Sequence, residues 1–224
     1  MKSGQATRED TMIVRMSVIG ILLAAALAAC ARQAQSSMDG KTRLHSVFGF
    51  SFLPPPGQNW TAEATDTRIT YHKRTDPRQL TFYTLVLAAS CTPSIPGEEA
   101  RLAFVRERKD QWGSDGRFTP VFSSFVPDPA QAACVRYHMR VKDHGARNLG
   151  THPFLLLDVV GRYCPLPQHP AVAVDIVYSI RHVPGYDAAR YQAEGEAFLD
   201  SLALDLRPAD AGIAVGAAQP CDAQ

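Results

Sequence analysis

The chain has 224 residues, 46% hydrophobic and 20% charged, with 23 basic against 22 acidic side chains. This is a globular composition that excludes a disordered or collagen-like chain, and its near-balanced charge speaks against a nucleic-acid surface or a polybasic membrane patch. The length suits one domain of ordinary size or two small ones.

Past Arg15, the residues from Met16 to Ala31 carry no charge and pass through Ile19, Ile21, Leu22 and Leu23 into an alanine-rich stretch around Cys30. An apolar run shorter than the roughly 20 residues needed to span a bilayer, preceded by basic residues, is expected to be an export signal. The block Leu27-Ala28-Ala29-Cys30 resembles the bacterial lipobox. That resemblance implies a signal peptide over residues 1–29 and a lipoprotein whose acylated Cys30 holds it on a lipid bilayer, each buried methylene contributing about 0.8 kcal/mol. It also implies a periplasm-facing place in a bacterial cell envelope. The outer membrane is favoured over the inner because Ala31 stands where an aspartate commonly causes inner-membrane retention. Residues 30–43 have no periodic apolar face and suit a flexible tether spanning roughly 20 Å.

A single domain is expected over residues 44–206, followed by an Ala/Gly/Pro-rich tail over 207–224. Its first strand is Val47 to Phe52, stopped by Pro54, Pro55, Pro56 and Gly57, and Trp60 opens a second short segment. Ile69 and Tyr71 mark another strand. Leu80 to Ala89 is apolar on both faces, which predicts a strand covered above and below. Residues 98–112 suit a helix, with Glu98 and Glu99 in its first turn, Arg106, Arg108 and Lys109 later, and a stripe of Leu102, Val105 and Trp112. Three alternating strands follow, around Val135–Lys142, Leu155–Arg162 and Val174–Arg181, with loops short enough for antiparallel hairpins. One apolar and one polar sheet face are expected. Ala188, Tyr191, Gly195, Phe198 and Leu202 then recur at helical spacing behind Asp187, a suitable N-cap.

The fold class is therefore α+β, a mostly antiparallel sheet with two main helices. The order of elements, with Gly49-Phe50-Ser51-Phe52 running into a proline-bounded turn before Trp60 and a last helix ending Phe198-Leu199-Asp200-Ser201-Leu202, resembles the PsbP/Mog1-like αβα sandwiches over about residues 46–204. That family consists largely of binding and assembly factors. The resemblance thus implies a bias against catalysis and carries over no site residue.

Besides Cys30, the chain has Cys91, Cys134, Cys164 and Cys221, which allow three disulfide connectivities in an oxidising compartment. A register that sets Cys134 opposite Cys164 also sets Arg140 opposite Asp158, so this pair is favoured, leaving Cys91 for Cys221. A second register, around residues 165–171, sets Arg162 opposite Asp175. A Cys134–His138 nucleophile is disfavoured, because four residues along a strand separate them by about 13 Å.

The charged row Arg136, His138, Arg140, Arg162 and Arg181, with Asp158 and Asp175, forms either a groove for an anionic ligand or a wet face of cross-strand ion pairs. Burial under the closing helix is expected to favour the ligand groove, since buried arginines need partners. His144 and His152 with Asp143 flank one loop, but their spacing matches no metal-ligand pattern, so no metal and no cofactor is expected. His169 sits between prolines as turn chemistry, and Phe48, Phe50, Phe52 and Trp60 suit core packing better than a partner-binding ledge. No G-x-S-x-G, Walker, G-x-G-x-x-G or H-E-x-x-H pattern is present, and no catalytic residue is assigned. The expected function is a non-catalytic binding or scaffold module of the cell envelope with a protein partner; the alternatives are a motif-less periplasmic hydrolase and a small-ligand carrier.

Overall fold

A computed structural model describes residues 42–204 apart from 47, 66, 77–79, 91, 112–115 and 147–151. The expected signal segment, Cys30, the tail and both Cys91 and Cys221 therefore lie outside the described residues, as does Trp112.

The alternating segments form strands β7 (Val135–Asp143), β8 (Leu155–Leu166) and β9 (His169–His182), paired antiparallel in chain order. Before them, β3 (Thr61–Ala64), β4 (Arg68–Asp76) and β5 (Leu80–Ser90) make a second meander. Antiparallel pairing of β5 with β9 joins the two, and β6 (Phe118–Pro127) adds to β7, giving a seven-stranded sheet in the order β3-β4-β5-β9-β8-β7-β6. β1 (Leu44–His45), β2 (Phe50–Phe52) and β10 (Ala203–Leu204) form a small separate sheet. β2 begins later than the expected strand because Gly49 turns the chain with φ 79°.

One helix lies on each face of the large sheet. Helix α1 (Glu98–Asp110) starts after Gly97, which takes φ 85°, and its Val105 packs with Phe125, Tyr137, Val159 and Val177. Helix α2 (Ala189–Asp200) buries Phe198 and Leu199 against Phe82, Val160, Ile176 and Tyr178. Asp187 accepts the Ala189 N–H at 3.0 Å, so it serves the start of α2 although Ala188 is the N-cap residue. Gly195 permits the approach of α2, because a Cβ there would stand 2.7 Å from the Val160 methyl and 2.9 Å from the Tyr178 ring. Phe50 and Phe52 are each 1% exposed and belong to the α2-side core with Trp60 at its margin, which makes them core rather than a ledge.

The layers are thus helix, sheet, helix: an α+β sandwich with both sheet faces covered. Here the structure corrects the expectation of one apolar and one polar face. The apolar set of β7 (Val135, Tyr137, Met139, Val141) faces α1, whereas that of β9 (Val174, Ile176, Tyr178, Ile180) faces α2. The cause is a register shift between Pro165 and Leu166. It sets Arg162 opposite Ile176 and Tyr163 opposite Asp175, one residue away from the expected Arg162–Asp175 pair. A one-residue slip exchanges the faces of every side chain on a strand. Arg181 and Asp175 consequently lie on the α1 face, away from Arg136, His138, Arg140, Asp158 and Arg162.

Candidate functional site

The β7–β8 register agrees with the sequence. Arg140 stands opposite Asp158, and Cys134 bonds to Cys164 with their Cα atoms 4.3 Å apart. Because α2 closes over this face, its charged residues are drawn into two connected clusters.

In the first, the buried Asp128 carboxylate accepts from Arg136 Nε at 2.9 Å and lies 2.7 Å from Arg162 Nε, while its other oxygen caps the turn through the Ala130 and Gln131 N–H groups. Arg136 also reaches Glu196 and Asp200 on α2, and Arg162, 2% exposed, donates to the Leu199 carbonyl at 3.3 Å. Burial raises the Asp128 carboxyl, but the Arg136 hydrogen bond, the turn N–H and both guanidinium charges outweigh it and hold it below the usual carboxylate range.

The second cluster centres on Asp158. Arg140 donates through Nε at 2.6 Å and through a terminal nitrogen at 3.1 Å, and His182 Nε2 lies 2.9 Å away with its Nδ1 2.8 Å from the Val183 carbonyl. Burial works against the Asp158 anion; the hydrogen bonds from His182 and Arg140 prevail and hold its carboxyl low. Burial lowers the neighbouring His138 imidazole, against the pull of Asp158 and Glu196.

Between this cluster and the start of α2 lies a cavity of about 210 Å³. His138, Arg140 and Asp158 form its sheet side, and Tyr178, Tyr186 and Tyr191 its aromatic side. Tyr186 stacks on Tyr191 at 19° and donates to its hydroxyl at 3.3 Å. His138 is also met edge-on by Phe122 of β6, ring centres 5.2 Å apart. Three of the five expected ligand residues, His138, Arg140 and Asp158, thus meet at one cavity; Arg136 and Arg162 are spent on Asp128 and α2.

Chemically the cavity is suited to recognition. Both Asp158 oxygens are occupied, so this carboxylate is not free to act as a general base. No Ser, Thr, Cys or Lys is among the described residues that line it. Tyr191 was legible in the sequence only as part of the α2 stripe, and His182 and Tyr186 carried no signal of their own: His182, at the end of β9, is defined by its contact with Asp158 on β8, and Tyr186 by its packing on Tyr191.

The remaining candidates do not converge. His144 lies 3.1 Å from the Thr119 hydroxyl and packs on Phe154, while Asp143 is turned to Arg117 and Arg181 on the α1 face. Among the described residues no cluster of three or more His, Cys, Asp or Glu is placed to hold a metal ion. His169 packs edge-on against Phe48 at 5.8 Å.

No protein-family model and no curated protein matches the chain. Solved structures similar to it include the following two. A point mutant of the protein Mog1 is 15% identical, with 70% of this chain and 91% of that one covered at a TM-score of 0.41. The Ran-binding protein Mog1p of Saccharomyces cerevisiae is 13% identical, with 70% and 90% covered at a TM-score of 0.40. This finding corrects the expected address: the neighbours are Mog1 proteins, one of them from a yeast, and not bacterial envelope proteins, so the periplasm-facing, outer-membrane location is not carried forward.

Proposed function

We propose that the chain is a non-catalytic binding module that receives an extended segment of a protein partner along β6. The supporting observation is the character of that strand. Among the described residues β6 is an edge of the seven-stranded sheet with no strand beyond it, ten residues long, with no charged side chain between Phe118 and Pro127. Val121, Phe122 and Val126 are 49%, 49% and 47% exposed. Sheet edges are ordinarily blunted by charge, shortness or cover; β6 has only Pro120, Pro127 and a bulge between Pro120 and Phe122. The opposite edge, β3, has four residues and carries Glu63. Main-chain pairing to β6 supplies affinity, and the His138 cavity beside Phe122 takes a side chain of the added segment, which supplies selectivity. The occupied Asp158 carboxylate supports this reading over a hydrolase. Acylation of Cys30, which would tether the module to a bilayer, belongs to the same proposal and is tested by the intact mass of the native protein.

The test places a photoreactive phenylalanine analogue at position 122 of the full chain. The expected result is one covalent adduct of fixed mass. A synthetic peptide from its crosslinked segment slows amide exchange over residues 123–126, and Phe122→Lys weakens that peptide about tenfold, or 1.4 kcal/mol. A self-crosslinked dimer as the sole adduct, or slowed exchange away from β6, overturns the proposal.

A further inference from the structure

The cavity at His138 has a sign. Its lining includes Arg140, Asp158 and Asp187, so it carries one carboxylate more than it has guanidinium groups. Arg140 is turned onto Asp158 through two donors, at 2.6 and 3.1 Å. Arg136 and Arg162, the other arginines of this face, are held by Asp128 and do not line the cavity. The balance at the His138 ring agrees. Burial is the first cause that lowers its imidazole; among the charges about it, Asp158 and Glu196 favour a cation there, and Arg140 opposes them with less effect than Asp158. The surrounding charges thus welcome a positive group, and the cost of placing one there lies in drying it.

The aromatic side lowers that cost. Tyr178, Tyr186 and Tyr191 line the cavity, and aromatic faces attract cations by their quadrupole. A guanidinium is more weakly hydrated than an ammonium, is planar and stacks on such rings. The exposed Arg190 already stands over the Tyr191 ring at 5.6 Å, an internal instance of the same attraction.

Strand register fixes the length of what can enter from β6. Phe122, Ser124 and Val126 pair with Arg140, His138 and Arg136, so they share the α2-side face of the sheet. Phe122 and Val126 are each about half exposed, and Ser124 is the small residue between them in the row that leads to His138. A segment added along β6 lies two strand spacings from β7, about 10 Å. A short side chain on that segment cannot cross this distance; a long one passing over Ser124 can.

We propose that the side chain received by the cavity is an arginine of the partner segment, its stem over Ser124 and its guanidinium held by the tyrosines and the acidic residues. This rests on the β6 reading and adds to it the chemistry of the partner. A neutral side chain of equal length forgoes the charge, and an acidic one is repelled.

The test is NMR titration of the full chain with four blocked residues: Nα-acetylarginine amide, its neutral isostere Nα-acetylcitrulline amide, Nα-acetyllysine amide and Nα-acetylglutamate amide. A single blocked residue is too short to pair along β6, so the titration reads the cavity alone. The arginine compound is expected to shift the ring signals of His138, Tyr186 and Tyr191 saturably and to bind about tenfold more tightly than the citrulline compound, with the lysine compound between them. Tyr186→Leu removes one aromatic face and narrows that gap. Asp187→Asn, at an exposed position that leaves the core intact, narrows it about threefold, the scale of one exposed charge. Equal affinity for the arginine and citrulline compounds, no saturable shift with the arginine compound, or tighter binding of the glutamate compound overturns the proposal, and if the adduct at position 122 still forms, the β6 reading stands without it. A missing adduct removes that reading and the partner's arginine with it.

Discussion

Beneath α2, Asp128 is shared by Arg136 and Arg162, Asp158 by Arg140 and His182, and Arg136 continues to two carboxylates on the helix itself. Beneath α1 one compact set, Lys109, Asp175 and the Tyr137 hydroxyl, is sealed, and past the end of the helix Asp143 meets both Arg117 and Arg181. The same residue types therefore serve two ends. Where a helix closes a sheet face, every ion must be neutralised on the spot, because an unpaired buried charge costs several kcal/mol. Past the end of the helix Arg117 is 41% and Arg181 26% exposed, so water shares in solvating the charges that meet Asp143.

The largest test of this contrast is Asp128→Asn. It leaves Arg162 inside the α2 layer without a full countercharge, and removal of one partner of a buried pair costs about 3–5 kcal/mol. Asp187→Asn, at an exposed position before α2, is expected to change stability by less than about 0.5–1 kcal/mol, the loss of one exposed cap. Urea unfolding of both variants measures the difference. Equal losses would mean that the α2 layer admits water as freely as the surface does.

Next in size is the Cys134–Cys164 bond, which lies on the α2 face between two strands already in register. It closes a loop with a sequence separation of 30, for which chain entropy predicts about 3.6 kcal/mol. Denaturation with and without reductant, repeated on the Cys134→Ser/Cys164→Ser variant, is expected to show that loss in the first protein and no reductant effect in the second.

This disulfide marks how far the sequence could be read. Strict alternation from Val135 to Lys142 left one buried face, so period and pairing partner followed, and the coincidence of Cys134 with Cys164 and of Arg140 with Asp158 set the register. Between β8 and β9 the same reasoning slipped by one residue, because a shift at Pro165/Leu166 cannot be counted from loop length. That slip misplaced Arg181 and Asp175. β6 was not assigned at all: its buried residue is Phe125, its other apolar side chains are outward, and two prolines in ten residues argue against a strand unless it is an edge. Asp128 was invisible for a different reason. Its partners come from β7 and β8, and nothing local beyond its turn before Pro129 distinguishes it from any surface aspartate. Lys73, held over Trp60 and Phe82 at 4.5 and 4.8 Å, was missed likewise, since three separate segments make the contact.

The smallest expected effect is on pH dependence, and it separates carboxylates from imidazole. Asp128, Asp143 and Asp158 all have folded pKa values below the ordinary carboxylate value of 3.8. Between the folded and unfolded values the unfolded chain binds more protons, so the stability these pairs supply is complete above the unfolded value and is lost as pH falls through the folded ones. His138 is also lowered, from 6.5, chiefly by burial. Again the unfolded state takes the proton first, and stability falls as pH drops below about 6.5, where the carboxylates are still ionised. Two steps are therefore expected in the unfolding free energy measured from pH 8 to pH 2. His138→Gln removes the upper step alone, whereas Asp158→Asn shrinks the lower one and alters the upper by withdrawing a charge that favours imidazolium. An upper step that survives His138→Gln would place its proton on another group and leave the cavity histidine without a part in the α2-side network.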